Sequence, residues 1–175
     1  RTALTGQPPE AWGQAVTLQN RLARAGWATG AFVGNIYLSS NFEMGEGWSH
    51  HSVVNWPVAS VQVRKVRRFF KRHAHQDAMA MLHLMDMHLP YTDPLTHRYR
   101  FAGKTPASIG TDYFLRSSVT RGAKSEEQRQ YVRDRYDNNL RYIDDHLARV
   151  FDALSPQDTV VILSDHGEEF WDHGG

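Results

Sequence analysis

The run from Thr159 to Leu163 constrains the fold of this chain more than any other stretch. It is apolar and rich in β-branched residues, a composition typical of a buried strand. Asp165 and His166 follow directly, and Gly167 then allows a sharp turn. Open α/β sheets bind ligands at the carboxyl ends of their strands, and a carboxylate beside an imidazole can bind a divalent cation there. On this dipeptide alone, an ordinary turn after a core strand is the simpler interpretation.

Helices and strands alternate along the chain. Apolar residues at steps of three and four predict helices over residues 14–26, 58–73 and 125–154. Apolar runs predict strands over residues 29–33, 78–84 and 159–163. Ser125 and Gln128 form a capping box at the start of the longest helix. This alternation predicts the α/β class, with a largely parallel sheet and helices on both of its faces.

The remaining stretches and the composition exclude several kinds of protein and site. Residues 39–57 and 92–124 are predicted to be irregular loops, and the basic side of helix 58–73 is interpreted as solvated surface rather than a nucleic-acid or membrane contact. The chain has no cysteine, so it has no disulfide framework and no thiolate metal site. No apolar run approaches the roughly 20 residues of a membrane span. Because the chain starts at Arg1 and stops just after its richest motif, we expect 1–175 to be a single partial domain.

A second motif follows the predicted strand 78–84. It reads HLMDMHLPY, from His83 to Tyr91. Pro90 favours extended backbone at the residue before it, which suits a loop that presents His88 at a strand end. A single histidine in a loop is usually structural, so this motif gains weight only together with the one at Asp165 and His166.

These two strings resemble motifs of the sulfatase family, within the alkaline phosphatase superfamily. Residues 164–174, SDHGEEFWDHG, resemble the family's C-terminal metal motif, and the string from His83 resembles its HxxDxHxPY motif. Residues 2–10, TALTGQPPE, resemble the tail of the nucleophile signature, whose nucleophile would precede Arg1. The resemblance covers nearly the whole chain. It implies a three-layer α/β/α sandwich with a largely parallel sheet, of the sulfatase and alkaline phosphatase type.

The resemblance also implies site residues. His88 would be catalytic and would bind the sulfate, while Asp165 and His166 would supply part of a metal site. Asn35 and Tyr37 fall where many sulfatases carry a Lys and a His that contact the sulfate, and both can donate hydrogen bonds to an anionic ester.

Two further residues have weaker implied roles in the same site. Asp86 would orient His88 through a hydrogen bond, and His173 would face the site because the C-terminal motif carries a second His-Gly. Asp144 and Asp145 look like a carboxylate pair for acid–base work, but their place on a long helix favours surface charge or a local salt bridge.

The function that the resemblance implies is metal-dependent hydrolysis of a sulfuric ester. The cation would most often be calcium, with Mn²⁺, Mg²⁺ or Zn²⁺ as other candidates, and a formylglycine upstream of residue 1 would attack sulfur. Residues 1–175 alone are therefore expected to be inactive. The substrate would be a small anionic ester or a sulfated carbohydrate, with no nucleic acid as partner, in a periplasmic, secreted or membrane-anchored protein.

Two alternatives stay open. One is a phosphodiester or phosphonate monoester hydrolase, or a phosphoethanolamine-type transferase, of the same superfamily. The neutral Asn35 and Tyr37 favour it, because the charged lysine of the usual sulfatase string is missing. The other is a non-catalytic binding domain on the same fold. The presence of both motifs argues against it, since decayed sites usually lose their ligands first.

Overall fold

The computed structural model describes residues 16–91, 96–97, 100–101 and 125–171. Its helices and strands follow in the order α1 (Leu18–Arg24), β1 (Ala28–Val33), β2 (His50–Val53), α2 (Ala59–Arg72), β3 (Ala78–Leu82) and α3 (Glu126–Phe151). Two short 3₁₀ helices, Ile36–Leu38 and Ser40–Phe42, lie between β1 and β2. The three predicted helices and the predicted strands at 29–33 and 78–84 are therefore confirmed.

The ends of two helices explain their lengths. α1 is shorter than predicted because the Thr17 hydroxyl caps it by accepting a hydrogen bond from Asn20 N, and Gly26, at a φ of 88°, follows its end. α3 begins with the predicted capping box between Ser125 and Gln128. No helix in the described part of the chain is both long and apolar enough to cross a membrane.

Three parallel strands form the described sheet, in the order β2-β1-β3. β1 pairs with β2 from Gly30 opposite His50, and with β3 from Ala28 opposite Ala78. All six residues of β1 are buried, because the strand is central and covered on both faces. The parallel sheet with its helices confirms the predicted α/β class.

The main hydrophobic core lies between one face of this sheet and the helices α2 and α3. Phe32 of β1 contacts Phe69 of α2 edge to face, with ring centroids 5.7 Å apart, and Val150 of α3 joins the same cluster. Gly30 permits this approach, because a Cβ there would lie 3.0 Å from the Phe69 ring. Packing in this core therefore fixes the position of β1, from whose carboxyl end the loops of the candidate site begin.

The prediction of an irregular loop over residues 39–57 is wrong for β2, which includes the His50-His51 pair. Side-chain hydrogen bonds start this pairing rather than an apolar run. The Thr29 hydroxyl donates to Gly47 O at 2.8 Å, and the Ser49 hydroxyl donates to Thr29 O at 2.8 Å. These bonds align β2 with β1 before the backbone ladder begins at His50.

The predicted strand over residues 159–163 is not formed. The four apolar side chains from Val160 to Leu163 are between 48% and 80% exposed. A strand is stabilised by hydrogen bonds to a neighbouring strand, and no strand in the described part of the chain pairs with this segment. The composition of the run favours a strand, but without a partner it stays an extended surface segment.

Candidate functional site

The carboxyl ends of the three strands meet at one edge of the sheet, because the strands are parallel. Trp56, after β2, donates its backbone N–H to Gly34 O after β1 at 3.0 Å. Gly34 N donates to the Nδ1 atom of His83, after β3, at 3.4 Å. A Cβ on Gly34 would lie 2.9 Å from Met85 Cγ and 3.1 Å from His83 O, so this close approach needs glycine. We call this region the carboxyl edge.

His88 stands exposed at the carboxyl edge, six residues beyond the end of β3. Its backbone N–H donates to Met85 O at 3.0 Å, which closes a turn. Its ring Nδ1 donates to Leu89 O at 2.8 Å, because a carbonyl oxygen can only accept. This bond fixes the tautomer and leaves Nε2 to face a ligand. The ring also contacts Trp56, with centroids 4.8 Å apart and planes at 82°.

His83 has a structural place at the same edge. Its Nδ1 accepts the Gly34 N–H, so the ring links the ends of β3 and β1 in its neutral form. Burial lowers the pKa of His83, and the charge of Asp165 opposes this effect only in part.

Asp165 and His166 lie side by side on the surface. His166 Nε2 is 3.8 Å from Asp165 Oδ2, and both side chains are largely exposed. His166 Nδ1 donates to Gly167 O at 2.6 Å, which directs Nε2 towards the carboxylate side. This hydrogen bond, followed by the Asp165 charge, raises the pKa of His166.

An aromatic cluster joins the two sequence motifs in space. Tyr91, which ends the string from His83, is fully buried against Tyr136 of α3 at 5.5 Å between ring centroids. Phe170, from the C-terminal motif, contacts the same Tyr136 at 5.1 Å and Tyr91 at 6.5 Å. Buried Arg135 donates from Nε to Tyr91 O at 2.9 Å. α3 therefore holds both motifs against one another, although Tyr91 and His166 are 75 residues apart in the sequence.

Asp86 holds a helix rather than a histidine. Its Oδ1 accepts a hydrogen bond from Ala59 N, the first residue of α2, at 2.9 Å. A carboxylate at this place satisfies a backbone donor that has no partner within the helix. Burial raises the pKa of Asp86. The expected hydrogen bond to His88 is not among its contacts in the described part of the chain.

Asn35 and Tyr37 lie in the 3₁₀ turn that follows β1. Asn35 Oδ1 accepts from Tyr37 N at 3.0 Å and so caps that turn, which leaves the amide nitrogen as the available donor. The Tyr37 ring is exposed and packs on Phe42 at 5.2 Å. No described contact joins either residue to His88. His173 and residues 2–10 lie outside the described residues.

The metal site implied by the resemblance can be tested on the donor atoms present. In the described ranges, no three His, Asp or Glu side chains are grouped so as to hold a metal ion. Asp165 and His166 offer one carboxylate and one imidazole nitrogen in reach of the same ion. Calcium takes about six to eight oxygen ligands, of which this pair supplies only those of the Asp165 carboxylate, whereas an imidazole suits Zn²⁺. The two residues therefore fit as part of a divalent cation site that would need further donors.

Sequence reasoning missed Trp56, which the structure places against His88. The available signal is the position of Asn55-Trp56-Pro57 directly after the apolar pair Val53-Val54. A strand end at this point would have placed the tryptophan at the carboxyl edge. The interpretation of the whole stretch as a surface loop concealed it.

By contrast, the salt bridge favoured for Asp145 is present, since Arg141 Nη2 lies 2.8 Å from its Oδ1.

Comparison with known proteins assigns the chain to a family. The family model described as Sulfatase matches residues 16–175. No curated protein and no solved structure gives a significant match. The family match spans β1 to β3, the loop of His88 and the Asp165-His166 pair, which α3 holds together. With a parallel α/β core and both motifs within one family match, the chain belongs to the sulfatase family.

Proposed function

We propose that this protein hydrolyses a sulfate ester in a metal-dependent reaction. The observation that carries the proposal is the meeting of two motifs at the carboxyl edge. The Tyr91–Tyr136–Phe170 cluster connects the loop of His88 with the segment of Asp165 and His166. This contact supports the proposal that a donor for an anionic group and a partial cation site face the same surface, an arrangement that suits hydrolysis of an anionic ester.

His88 would serve the group that is transferred. Its Nδ1–H is held by Leu89 O, so Nε2 has a defined direction, and the ring also contacts Trp56. When Nε2 carries a proton, it can donate to the leaving oxygen as negative charge develops there. An interaction that strengthens in the transition state accelerates the reaction, whereas one that is equal in the ground state does not.

Asp165 and His166 would supply part of the ligand set of a divalent cation. Calcium is the first candidate, and Mn²⁺, Mg²⁺ or Zn²⁺ are others. When bound, the cation would supply Lewis acidity and a template for the anionic ester. The protein's own contribution is orientation. The His166 ring is directed by Gly167 O, and the Ser164 hydroxyl donates to His166 O at 2.5 Å, so the backbone turn itself is braced.

A second candidate function rests on the residues after β1. Asn35 and Tyr37 are neutral and stand where many sulfatases carry charged contacts to the sulfate. The Asn35 oxygen is engaged in the turn, so this loop offers donors without a positive charge. Hydrolysis of a phosphodiester or a phosphonate monoester, or transfer of a phosphoethanolamine-type group, is compatible with such a loop.

A substrate panel separates these functions. The protein expressed from its complete reading frame would be assayed with 4-nitrophenyl sulfate, bis(4-nitrophenyl) phosphate and 4-nitrophenyl phenylphosphonate. We expect the largest kcat/KM for the sulfate, its loss with a chelator and its return with calcium. A larger kcat/KM for either phosphorus ester would favour the second candidate. Absence of turnover with all three esters and every divalent cation would favour a non-catalytic binding domain.

A further inference from the structure

We propose that Trp56 is a binding platform for the ring of the substrate's leaving group. The proposal rests on the proposed function, because it takes the ester to react beside His88. It adds a ligand class that His88 and the cation residues do not define: a ring with an apolar face, either an aryl group or a pyranose.

The backbone holds Trp56 in an unusual conformation. Its φ is 53°, in the left-handed region that residues with a side chain rarely adopt. Its N–H is bound by Gly34 O, and Val54 N is bound by Val33 O at 3.0 Å, so the chain is tied to β1 on both sides of Asn55. Left-handed backbone at a bulky residue is strained, and it persists where the surrounding structure holds it in place, often at functional sites.

The indole is both fixed and accessible. It contacts His88 nearly at right angles, yet Trp56 remains 46% exposed. Tryptophan is highly buried on average, so a large exposed share on a constrained backbone is informative. Because the indole contacts the His88 ring, it lies next to the group that His88 would serve, which in the proposed function is the leaving oxygen. A ring attached to that oxygen would therefore meet the indole.

The chemistry of the indole selects the ligand. It offers a flat apolar surface with a negative face, which favours offset or edge contacts with an aryl ring and contacts with the C–H groups of a sugar. This surface offers little attraction for an anion that carries no ring. Since the contact lies away from the transferred group, it would be equal in the ground state and the transition state. Its loss should therefore raise KM and leave kcat nearly unchanged.

Trp56→Gly is the sharpest variant, because glycine adopts a positive φ without strain and removes the ring. In the protein from the complete reading frame, we expect it to fold and to raise KM for 4-nitrophenyl sulfate roughly tenfold, the size of a lost aromatic contact. The inhibition constant of inorganic sulfate, which has no ring, should stay unchanged. Trp56→Phe should restore part of the affinity. Trp27→Ala, at the amino end of β1, is the matched control and should leave KM unchanged.

Binding without turnover gives an independent readout. Saturation-transfer NMR with phenol and with methyl glucopyranoside would show which ring receives magnetisation from the wild type, and the signal should vanish in Trp56→Gly. An unchanged signal and KM in that variant would overturn the platform. An equal loss of affinity for inorganic sulfate would also overturn it, because Trp56 would then act through the anion site. Ring binding without hydrolysis of any ester would instead refute the proposed function and leave the platform standing.

Discussion

His97 and Asp145 are joined by a hydrogen bond of 2.7 Å between Nε2 and Oδ2. His97 belongs to the stretch beyond the His88 loop, and Asp145 lies on α3, so the bond ties that stretch to the helix. Buried His97 also bonds from Nδ1 to the Thr96 hydroxyl at 2.8 Å and packs edge to face on Tyr142. Phe101 N donates to Asn138 Oδ1 at 3.0 Å and makes a second tie to the same helix.

The Asp145 tie predicts a stability that depends on pH. The hydrogen bond from His97, and next to it Arg141, holds the pKa of Asp145 below its ordinary 3.8. A carboxyl group with a lowered folded-state pKa stabilises the protein above its unfolded-state pKa, and this contribution is lost as the pH falls through the folded-state value. We expect Asp145→Asn to lower the Tm most at about pH 6 and to lower it progressively less as the pH falls below about 3.8, for example at about pH 3.

Asp144→Asn is the matched control for that comparison. Asp144 is on the same helix but lies 3.7 Å from Arg141 and is 70% exposed in its side chain. Exposed pairs of this kind contribute little to stability. Thermal unfolding of both variants across the pH range would check the prediction. An equal loss of Tm at both pH values for Asp145→Asn would mean that its charge has no special role.

His88→Ala tests the role of the histidine in the reaction. Because its Nδ1 is held by Leu89 O, Nε2 is the atom that would donate to the leaving oxygen, and general acid help is typically worth ~10²–10⁴-fold. We therefore expect kcat to fall by about that factor while the affinity for the cation stays near that of the wild type. His75→Ala, an exposed histidine between α2 and β3, should change neither quantity. A variant that keeps its rate and loses the cation would assign His88 to a metal site instead.

Asp165→Asn and His166→Ala test the cation site. Each removes one of two donors that lie 3.8 Å apart, so each should weaken cation affinity by at least about tenfold and lower the activity in parallel. Calorimetric titration with calcium would measure the affinity, with Glu127→Gln on the first turn of α3 as a surface control. If both variants bind the cation as the wild type does, the pair is only a structural turn.

His83 should matter more for stability than for rate. His83→Ala leaves the buried Gly34 N–H without its acceptor, which costs on the order of 1 kcal/mol. His83→Asn keeps an acceptor near the place of Nδ1 and should recover part of the loss. Because burial lowers the pKa of His83, folding favours the neutral ring, and this contribution fades as the pH falls below its ordinary 6.5.

The measurement is Tm and kcat for both His83 variants. A lower Tm with a nearly unchanged rate per folded molecule fits the structural role. A loss of rate that exceeds the loss of stability would show that His83 itself acts in the reaction.

Sequence pattern predicted the elements that show an apolar run or regularly spaced apolar residues. Phe32 lies in the apolar run of β1, and Phe69 lies on the apolar face of α2, so both elements were predictable. β2 was not predictable, because His50 to Val53 contains no apolar run. Its pairing with β1 depends on hydrogen bonds between Ser49 and Thr29, which are distant from each other in sequence. The segment 159–163 shows the reverse case, in which local composition favours a strand but no strand among the described residues pairs with it.

The site was predictable to the same extent. Motif strings predicted His88, Asp165 and His166 as site residues, because those strings are local in sequence. The neighbours that pack against these two motifs come from elsewhere in the chain. Trp56 reaches His88 from β2, and Phe170 reaches Tyr91 across α3. Asp86 was expected to orient His88 but caps α2, because the start of that helix lies closer in space than the sequence can indicate.

The exposed run from Val160 to Leu163 has a consequence for the behaviour of the chain in solution. It is apolar, uncharged and free of proline, and its backbone is not paired with any strand of the described sheet. Such a segment is a template on which other chains add strands. Self-association of the purified 175-residue chain should therefore increase with concentration, and a single lysine at Ile162 should suppress it.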